Sequence, residues 1–230
     1  MKKHLVVLSG AGISAESGIK TFRDAGGLWE EYDVMDVASY DGWLKNKELV
    51  LRFYNERRAQ LKTVKPNAAH TGLAELEKTF KVTIITQNVD NLHEKGGSKN
   101  ILHLHGELTK VRSTTDETHI KDIGFKEINI GDKCPKGGQL RPHIVWFGEA
   151  VPAINDAIEI VAKADILVVI GTSLNVYPAA GLLNYAPRKC PIYLIDPNPL
   201  TVQIDREFTF IQEVASTGVE KLKQLLMTND

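Results

Sequence analysis

Short runs of aliphatic and β-branched residues alternate with helix-length segments along most of this 230-residue chain. The runs are 4–8, 82–86, 101–105, 144–147, 165–170 and 191–195, each short enough for a buried strand. Helical periodicity covers 48–62, 67–80 (preceded by Pro66), 153–163, 179–186 and 217–227. Strands joined through helices form a mostly parallel sheet covered on both faces, so the predicted class is α/β. Ligands of such sheets bind beyond the carboxyl ends of the strands. The informative residues are therefore those that follow the runs: Gly10–Ser14, Gln87–Asp90, His105 with Gly106, Gly171–Ser173 and Pro197–Pro199.

Composition narrows the function classes. Hydrophobic residues make up 43% and charged residues 25%, a globular balance. A net charge of -1 points to no nucleic-acid or anionic-membrane partner. No apolar run approaches the roughly 20 residues that span a bilayer. The start, MKKHLVVLSGAG, has too short an apolar stretch for a signal peptide and runs into a glycine loop, so a cytoplasmic protein is expected. Cys134 and Cys190 stand alone and make neither a disulfide framework nor a paired zinc motif.

Gly10-Ala11-Gly12-Ile13-Ser14-Ala15 fits GxGxxA at a strand-to-helix turn. Glycine there lets the backbone approach a pyrophosphate, and the helix start offers unpaired N–H donors. A plain dinucleotide half would add a second strand and an acidic residue about 20 residues on. Here that stretch reads TFRDAGGLWEEY, inside a loop expected over 19–37, which disfavours a dehydrogenase. Asn88 or Asp90 can cap a helix, but the polar run Gln87-Asn88-Val89-Asp90 exceeds what one cap requires, so ligand contact is the preferred reading. His103 and His105 share one strand face. Either is structural, or with His93 they could bind a metal, although no carboxylate companion has the usual spacing.

Six fragments, in order, resemble one family: GAGISAESGIKTFR (10–23), TQNVDNLHEKGG (86–97), LHG (104–106), LRPHIVWFGE (140–149), GTSLNVYPAA (171–180) and DPNP (196–199). The chain is similar to the sirtuins, NAD-dependent protein lysine deacylases. The resemblance implies one catalytic domain over 1–230: a mostly parallel Rossmann-like sheet with a small module inserted from about 32–66 and 107–141. It implies His105 as the catalytic base, with Asn88 and Asp90 fixing the nicotinamide side. The NAD-binding set it implies begins with Gly10, Ala11, Gly12, Ile13, Ser14, Glu16, Ile19, Thr21, Phe22, Arg23 and Trp29. It continues with Gln87, Asn88, Val89, Asp90, Gly171, Thr172, Ser173, Pro197, Asn198, Pro199 and Ala215. Val145, Trp146, Phe147 and Gly148 would pair with an acylated peptide as an added strand. NAD would be consumed, giving nicotinamide, O-acyl-ADP-ribose and free lysine.

Two features depart from the usual pattern. The family's zinc module carries two CxxC pairs, whereas this chain has Ser113, Asp116 and Cys134 in that region and Gly137 after it. One thiolate makes no tetrahedral site, so no metal is expected. The module would instead be held by apolar contacts of Ile120, Ile123, Phe125, Ile128 and Ile130. The second feature is Tyr54 with Arg57, one helical turn apart. Read alone, they are a half-buried tyrosine beside a solvated arginine. The FYNERR stretch, however, looks like the bacterial sirtuin class that accepts acidic acyl groups, where such a pair grips the acyl carboxylate. Succinyl and malonyl removal beside acetyl is then implied. The alternatives are an NAD-dependent ADP-ribosyltransferase or NAD hydrolase, a non-catalytic NAD or ADP-ribose sensor, and a metal hydrolase built on His93, His103 and His105.

Overall fold

The computed structural model describes residues 2–20, 32–174, 176–199 and 204–228. A six-stranded parallel sheet runs in the order β3-β2-β1-β7-β8-β9. Its strands are β1 (His4–Ser9), β2 (Lys81–Thr86), β3 (Ile101–His103), β7 (Ile166–Ile170), β8 (Ile192–Ile195) and β9 (Thr209–Ile211). Alternate side chains of β1 enter different cores, as the period of a strand requires. Leu5 and Val7 face one core with Leu73, Val219 and Leu222, while Val6 and Leu8 face the other with Val161, Leu182 and Leu183. Being covered on both faces, β1 and β7 are near-continuous apolar runs rather than alternating ones.

The helices are α1 (Gly12–Ala15), α2 (Val34–Val37), α3 (Tyr40–Lys45), α4 (Lys47–Gln60), α5 (Ala68–Glu75), α6 (Leu92–Lys95), α7 (Ile154–Val161) and α8 (Ala215–Thr228). The helix expected over 67–80 is α5 continued by a 3-10 turn, Leu76–Lys78. Asn67 starts α5 with a capping box shared with His70. The segment expected as a helix over 179–186 is a 3-10 helix, Ala179–Tyr185. The expected strand 144–147 ends at Ile144, because the chain then turns so that Phe147 pairs with Ser39. β9 is too short and too polar to stand out in the sequence.

A second, antiparallel sheet holds β4 (Gly106–Ser113), β5 (Ile120–Asp122) and β6 (Leu140–Ile144), in the order β5-β4-β6. It shares a third core with α3 and α4, including Trp43, Phe53, Tyr54, Leu108, Ile128 and Trp146. Of the five residues expected to hold this region, Ile128 is buried and Ile123 and Phe125 pack against the core. Ile120 and Ile130 are exposed, since β5 lies at the sheet edge and Ile130 on a turn. Polar ties complete the join. Asn55 on α4 donates to the Ile128 carbonyl at 2.9 Å and accepts the Ile128 N–H at 3.0 Å. Arg58, fully buried, donates to the Leu108 carbonyl at 2.6 Å and to Asn55 at 2.7 Å. In the region where the family carries its zinc cysteines, the Ser113 hydroxyl donates to the Cys134 sulfur at 3.2 Å and accepts the N–H groups of Thr115 and Asp116. Lys136 pairs with Asp116 at 3.0 Å.

Candidate active site

The strand order reverses between β1 and β7: β2 and β3 lie to one side, β8 and β9 to the other. Loops leaving adjacent strands at such a point diverge and open a crevice. The two loops here are Gly10–Gly12 and Gly171–Ser173, and they touch through the Gly12 N–H to Gly171 carbonyl bond at 2.8 Å. A Cβ on Gly10 would sit 2.7 Å from the Gly171 oxygen, and one on Gly12 would sit 2.8 Å from the Gly171 Cα. Gly171 itself has φ +63. Glycine is thus required for backbone contact across the crevice, beside the first turn of α1. The placement fits a dinucleotide whose phosphates meet main-chain N–H groups.

Behind the glycine loop is a buried polar cluster. Ser14 donates to Asp90 at 3.0 Å, and the Asn88 amide donates to the Gly10 carbonyl at 3.1 Å and to Ser14 at 3.2 Å. Asp90 also accepts the Leu92 N–H, the first of α6, at 3.0 Å, so it ties the helix start to the cluster. Burial raises the Asp90 pKa, and the bonds from Leu92 and Ser14 only partly oppose this. Gln87 reaches Thr172 at 3.4 Å, linking the β2 and β7 ends. His93 is bound to buried Ser9 at 2.9 Å and stacks edge-on against His70. Burial holds its pKa down to about 3. The metal reading through His93, His103 and His105 is therefore corrected: among the described residues these three make no ligand group.

His103 and His105 are two residues apart, and their surroundings shift their pKa values in opposite directions. His103 places Nδ1 3.1 Å from the Asn88 carbonyl and Nε2 2.8 Å from Glu94, with Glu107 at 3.5 Å. Both partners only accept, so both ring nitrogens carry hydrogen. Burial alone would lower this pKa, but Glu94 and Glu107 outweigh burial and raise it. Glu94, His103 and Glu107 lie close enough to suggest metal ligands, yet Glu94 is committed to His103 and Glu107 to Lys110. Among the described residues His105 has a single hydrogen-bond partner, its Nδ1 standing 3.1 Å from the Gln87 carbonyl. That oxygen demands the Nδ1–H tautomer and leaves Nε2 as a proton acceptor. Burial lowers the His105 pKa, against a smaller opposing effect of the Gln87 bond.

Tyr54 is buried on α4, with its hydroxyl 2.9 Å from the Trp146 indole nitrogen. Arg57, half-buried, lies over the Phe53 ring at 3.9 Å. Trp146 follows Val145, whose N–H donates to the His105 carbonyl at 2.9 Å, so the Tyr54 region is tied to the His105 turn. The 145–148 segment is not a free strand edge along its whole length. Phe147 bonds through both backbone groups to Ala38 and Tyr40, and Trp146 does so to the Glu149 side chain and N–H. Gly148 is exposed at the tip with φ +89.

Other predicted positions divide plainly. Ile13 points into the first core, Ile19 and Val89 pack against the third, and Ala215 is buried at the start of α8. Any ligand contact of Ile13 or Ala215 runs through backbone. Glu16 binds the Ser216 N–H at 2.8 Å and its hydroxyl at 2.6 Å, capping α8 rather than facing the crevice. Pro197, Asn198 and Pro199 form the turn after β8. Thr21, Phe22, Arg23 and Trp29 lie outside the described residues. Sequence reasoning missed the Arg141–Glu149 pair at 2.7 Å, its companion Arg112 at 3.0 Å, and buried Arg58. An arginine and a glutamate flanking an apolar run were the only signal for the first.

Comparison with known proteins agrees with this geometry. Residues 10–178 match the Sir2 family model. An NAD-dependent protein deacylase of Bacteroides thetaiotaomicron is 60% identical over 230 residues, covering 98% of each chain. One from Helicobacter pylori is 55% identical over 225 residues, again covering 98% of each. A Sir2 homologue solved as an NAD complex superposes with TM-score 0.88 at 37% identity, covering 99% of this chain and 91% of that one. A variant Sir2 homologue bound to ADP-ribose gives 0.87 at 36%, covering 98% and 94%. The chain belongs to the Sir2 family and is an NAD-dependent protein deacylase, an enzyme that consumes NAD and acts on acylated protein substrates.

Proposed function

We propose that this deacylase removes succinyl and malonyl groups as well as acetyl groups from lysine, with His105 as base and Tyr54 and Arg57 as the acyl-carboxylate site. The observation that carries the acyl reading is the pairing on one face of α4 of a buried phenol with a guanidinium. Burial raises the Tyr54 pKa, outweighing Trp146 and Arg57, so the hydroxyl keeps its proton. Both groups then offer hydrogen to an anionic acceptor, and a carboxylate meets both.

NAD, when bound, would supply an electrophilic ribose carbon for the acyl carbonyl oxygen, with nicotinamide as the leaving group. Gly10–Gly12 and Gly171–Thr172 hold the phosphate side, and Asn88 and Asp90 orient the nicotinamide side from within their buried cluster. His105, neutral and with Nε2 unprotonated, takes a proton from a ribose hydroxyl. The small module holds without metal through the Ser113–Cys134 bond and the Asp116–Lys136 pair. The two buried free thiols of the whole chain and its net charge of -1 support a cytoplasmic enzyme without a nucleic-acid partner. Among the described residues no helix is long and apolar enough to cross a membrane.

Mass spectrometry of one peptide carrying acetyl-, malonyl- or succinyl-lysine, with and without NAD, tests the acyl reading. NAD-dependent free lysine from all three is expected, and turnover of acetyl-lysine alone refutes it. Elemental analysis finding one tightly held zinc per chain would overturn the metal-free module.

A further inference from the structure

We infer that Trp146 is a positioning residue for acyl selectivity, because its indole dictates which way the Tyr54 hydroxyl can bond. This inference rests on the acidic-acyl reading above. An indole nitrogen donates and never accepts. In the 2.9 Å contact the Tyr54 oxygen is therefore the acceptor, and its own hydrogen must point elsewhere. A phenol left free could turn either its hydrogen or its lone pairs to a ligand; with the indole N–H occupying the oxygen, the O–H is turned outward and is the group best placed to meet a ligand, as a donor. A neutral apolar acyl tip gains nothing from that hydrogen, whereas a carboxylate gains a charge-assisted bond.

The indole is in turn held from three sides. The Arg141 guanidinium lies 3.4 Å from its ring centroid, Trp43 packs at 5.5 Å, and the backbone N–H of Trp146 donates to the Glu149 carboxylate at 2.9 Å. Glu149 is pinned by two bonds from Arg141, at 2.7 and 2.8 Å, and by Arg112 at 3.0 Å. Trp146 is buried. The segment that turns past His105 thus carries the polarity of the acyl site, although Tyr54 lies 92 residues earlier in the chain.

The experiment compares kcat/KM on succinyl- and acetyl-lysine forms of one peptide for the wild type, Trp146→Phe, Tyr54→Phe and the double variant. Trp146→Phe is expected to lower the succinyl-to-acetyl ratio about tenfold, mainly through KM for the succinyl peptide. In the Tyr54→Phe background the same change should move the ratio less than twofold. Replacing Trp146 by 3-benzothienylalanine, which keeps the shape and loses only the N–H, should reproduce the shift if Trp146→Phe folds poorly. Independently of acyl activity, the Trp146 indole N–H should resist solvent exchange and lose protection in Tyr54→Phe. A ratio unmoved by either replacement, an equal shift with and without Tyr54, or an exchange rate indifferent to Tyr54 overturns the inference. A wild type inactive on succinyl-lysine overturns the acidic-acyl reading and the selectivity role with it. An active wild type whose ratio survives loss of the N–H overturns the role alone.

Discussion

Replacing Arg57 by Met keeps an unbranched, helix-compatible side chain of similar length and removes only the charged fork. The structure sets the size of the effect on an acidic acyl group. Truncating one partner of a desolvated charge pair costs about 2–5 kcal/mol. Arg57 is half-buried rather than sealed, so water screens part of the interaction and the lower half of that range applies. Its stack on Phe53 at 3.9 Å holds the guanidinium in place and limits the entropy cost of the contact. About 2–3 kcal/mol, or roughly 30- to 150-fold in kcat/KM on a succinyl peptide, is expected. The acetyl form of the same peptide has no carboxylate to lose and should change less than threefold. Arg57→Lys retains the charge without the planar fork and should recover only part of the succinyl activity. Initial rates of free-lysine formation, measured by mass spectrometry on both peptides across substrate concentration, give the four ratios needed. Equal losses on the two substrates in Arg57→Met would refute the reasoning and make the arginine structural.

Further outcomes follow from the same geometry. His105→Ala should lower turnover by about 10²–10⁴-fold while NAD binding, followed by calorimetry, persists; retention of more than a tenth of the activity would remove it as the base. In the wild type the acid limb of kcat/KM should fall below pH 6.5, because burial depresses the His105 pKa and the neutral ring is the active form. Asn55→Ala leaves the Ile128 N–H and carbonyl and part of Arg58 without partners, and should cost about 2–4 kcal/mol in denaturant unfolding. A loss under 1 kcal/mol would show, by the same principle, that water replaces those bonds. His70 and His93, with pKa values of about 4 and about 3, fold neutral and unfold with ordinary values near 6.5. Their contribution is complete above pH 6.5 and is lost as pH falls from there toward 4, by about 1.4 kcal/mol per pH unit for each. His103, whose pKa is raised, acts in the opposite sense: its contribution is present below 6.5 and is lost as pH rises through the folded value. Between pH 6.5 and 4.5 the His103 contribution is constant, so a denaturation midpoint flat over that window would contradict the loss expected from His70 and His93.

The large sheet was legible because its cause is local. The apolar runs that became β1, β2, β7 and β8 are strands by length and β-branching, and the glycines after β1 and β7 mark backbone contact that a side chain would block. The motif order also sufficed for the family. Segments whose structure depends on distant partners were read less well. The run through 144–147 has strand composition, but it bends at Ile144 because Phe147 finds Ala38 and Tyr40. Ile120 and Ile130 looked like core residues, and only the sheet edge explains their exposure.

What the chain determined by itself was therefore the α/β class, the positions of the crevice loops, and the residue types gathered at them. Charge state and bond polarity were decided only by the tertiary structure. His103 and His105 are identical side chains two positions apart. One has its pKa raised because Glu94 folds against it, and the other has its pKa lowered because it is buried with, among the described residues, only the Gln87 carbonyl as partner. Glu16 reads as part of the nucleotide motif until Ser216, 200 residues away, supplies a helix start for it to cap. Nothing in the sequence marks Arg58 as buried; Leu108 and Asn55 accept its donors only in the fold. Hydrophobic periodicity records which faces are buried, but a proton or a hydrogen-bond direction depends on one or two atoms a few ångströms away, and those atoms are brought in by the fold.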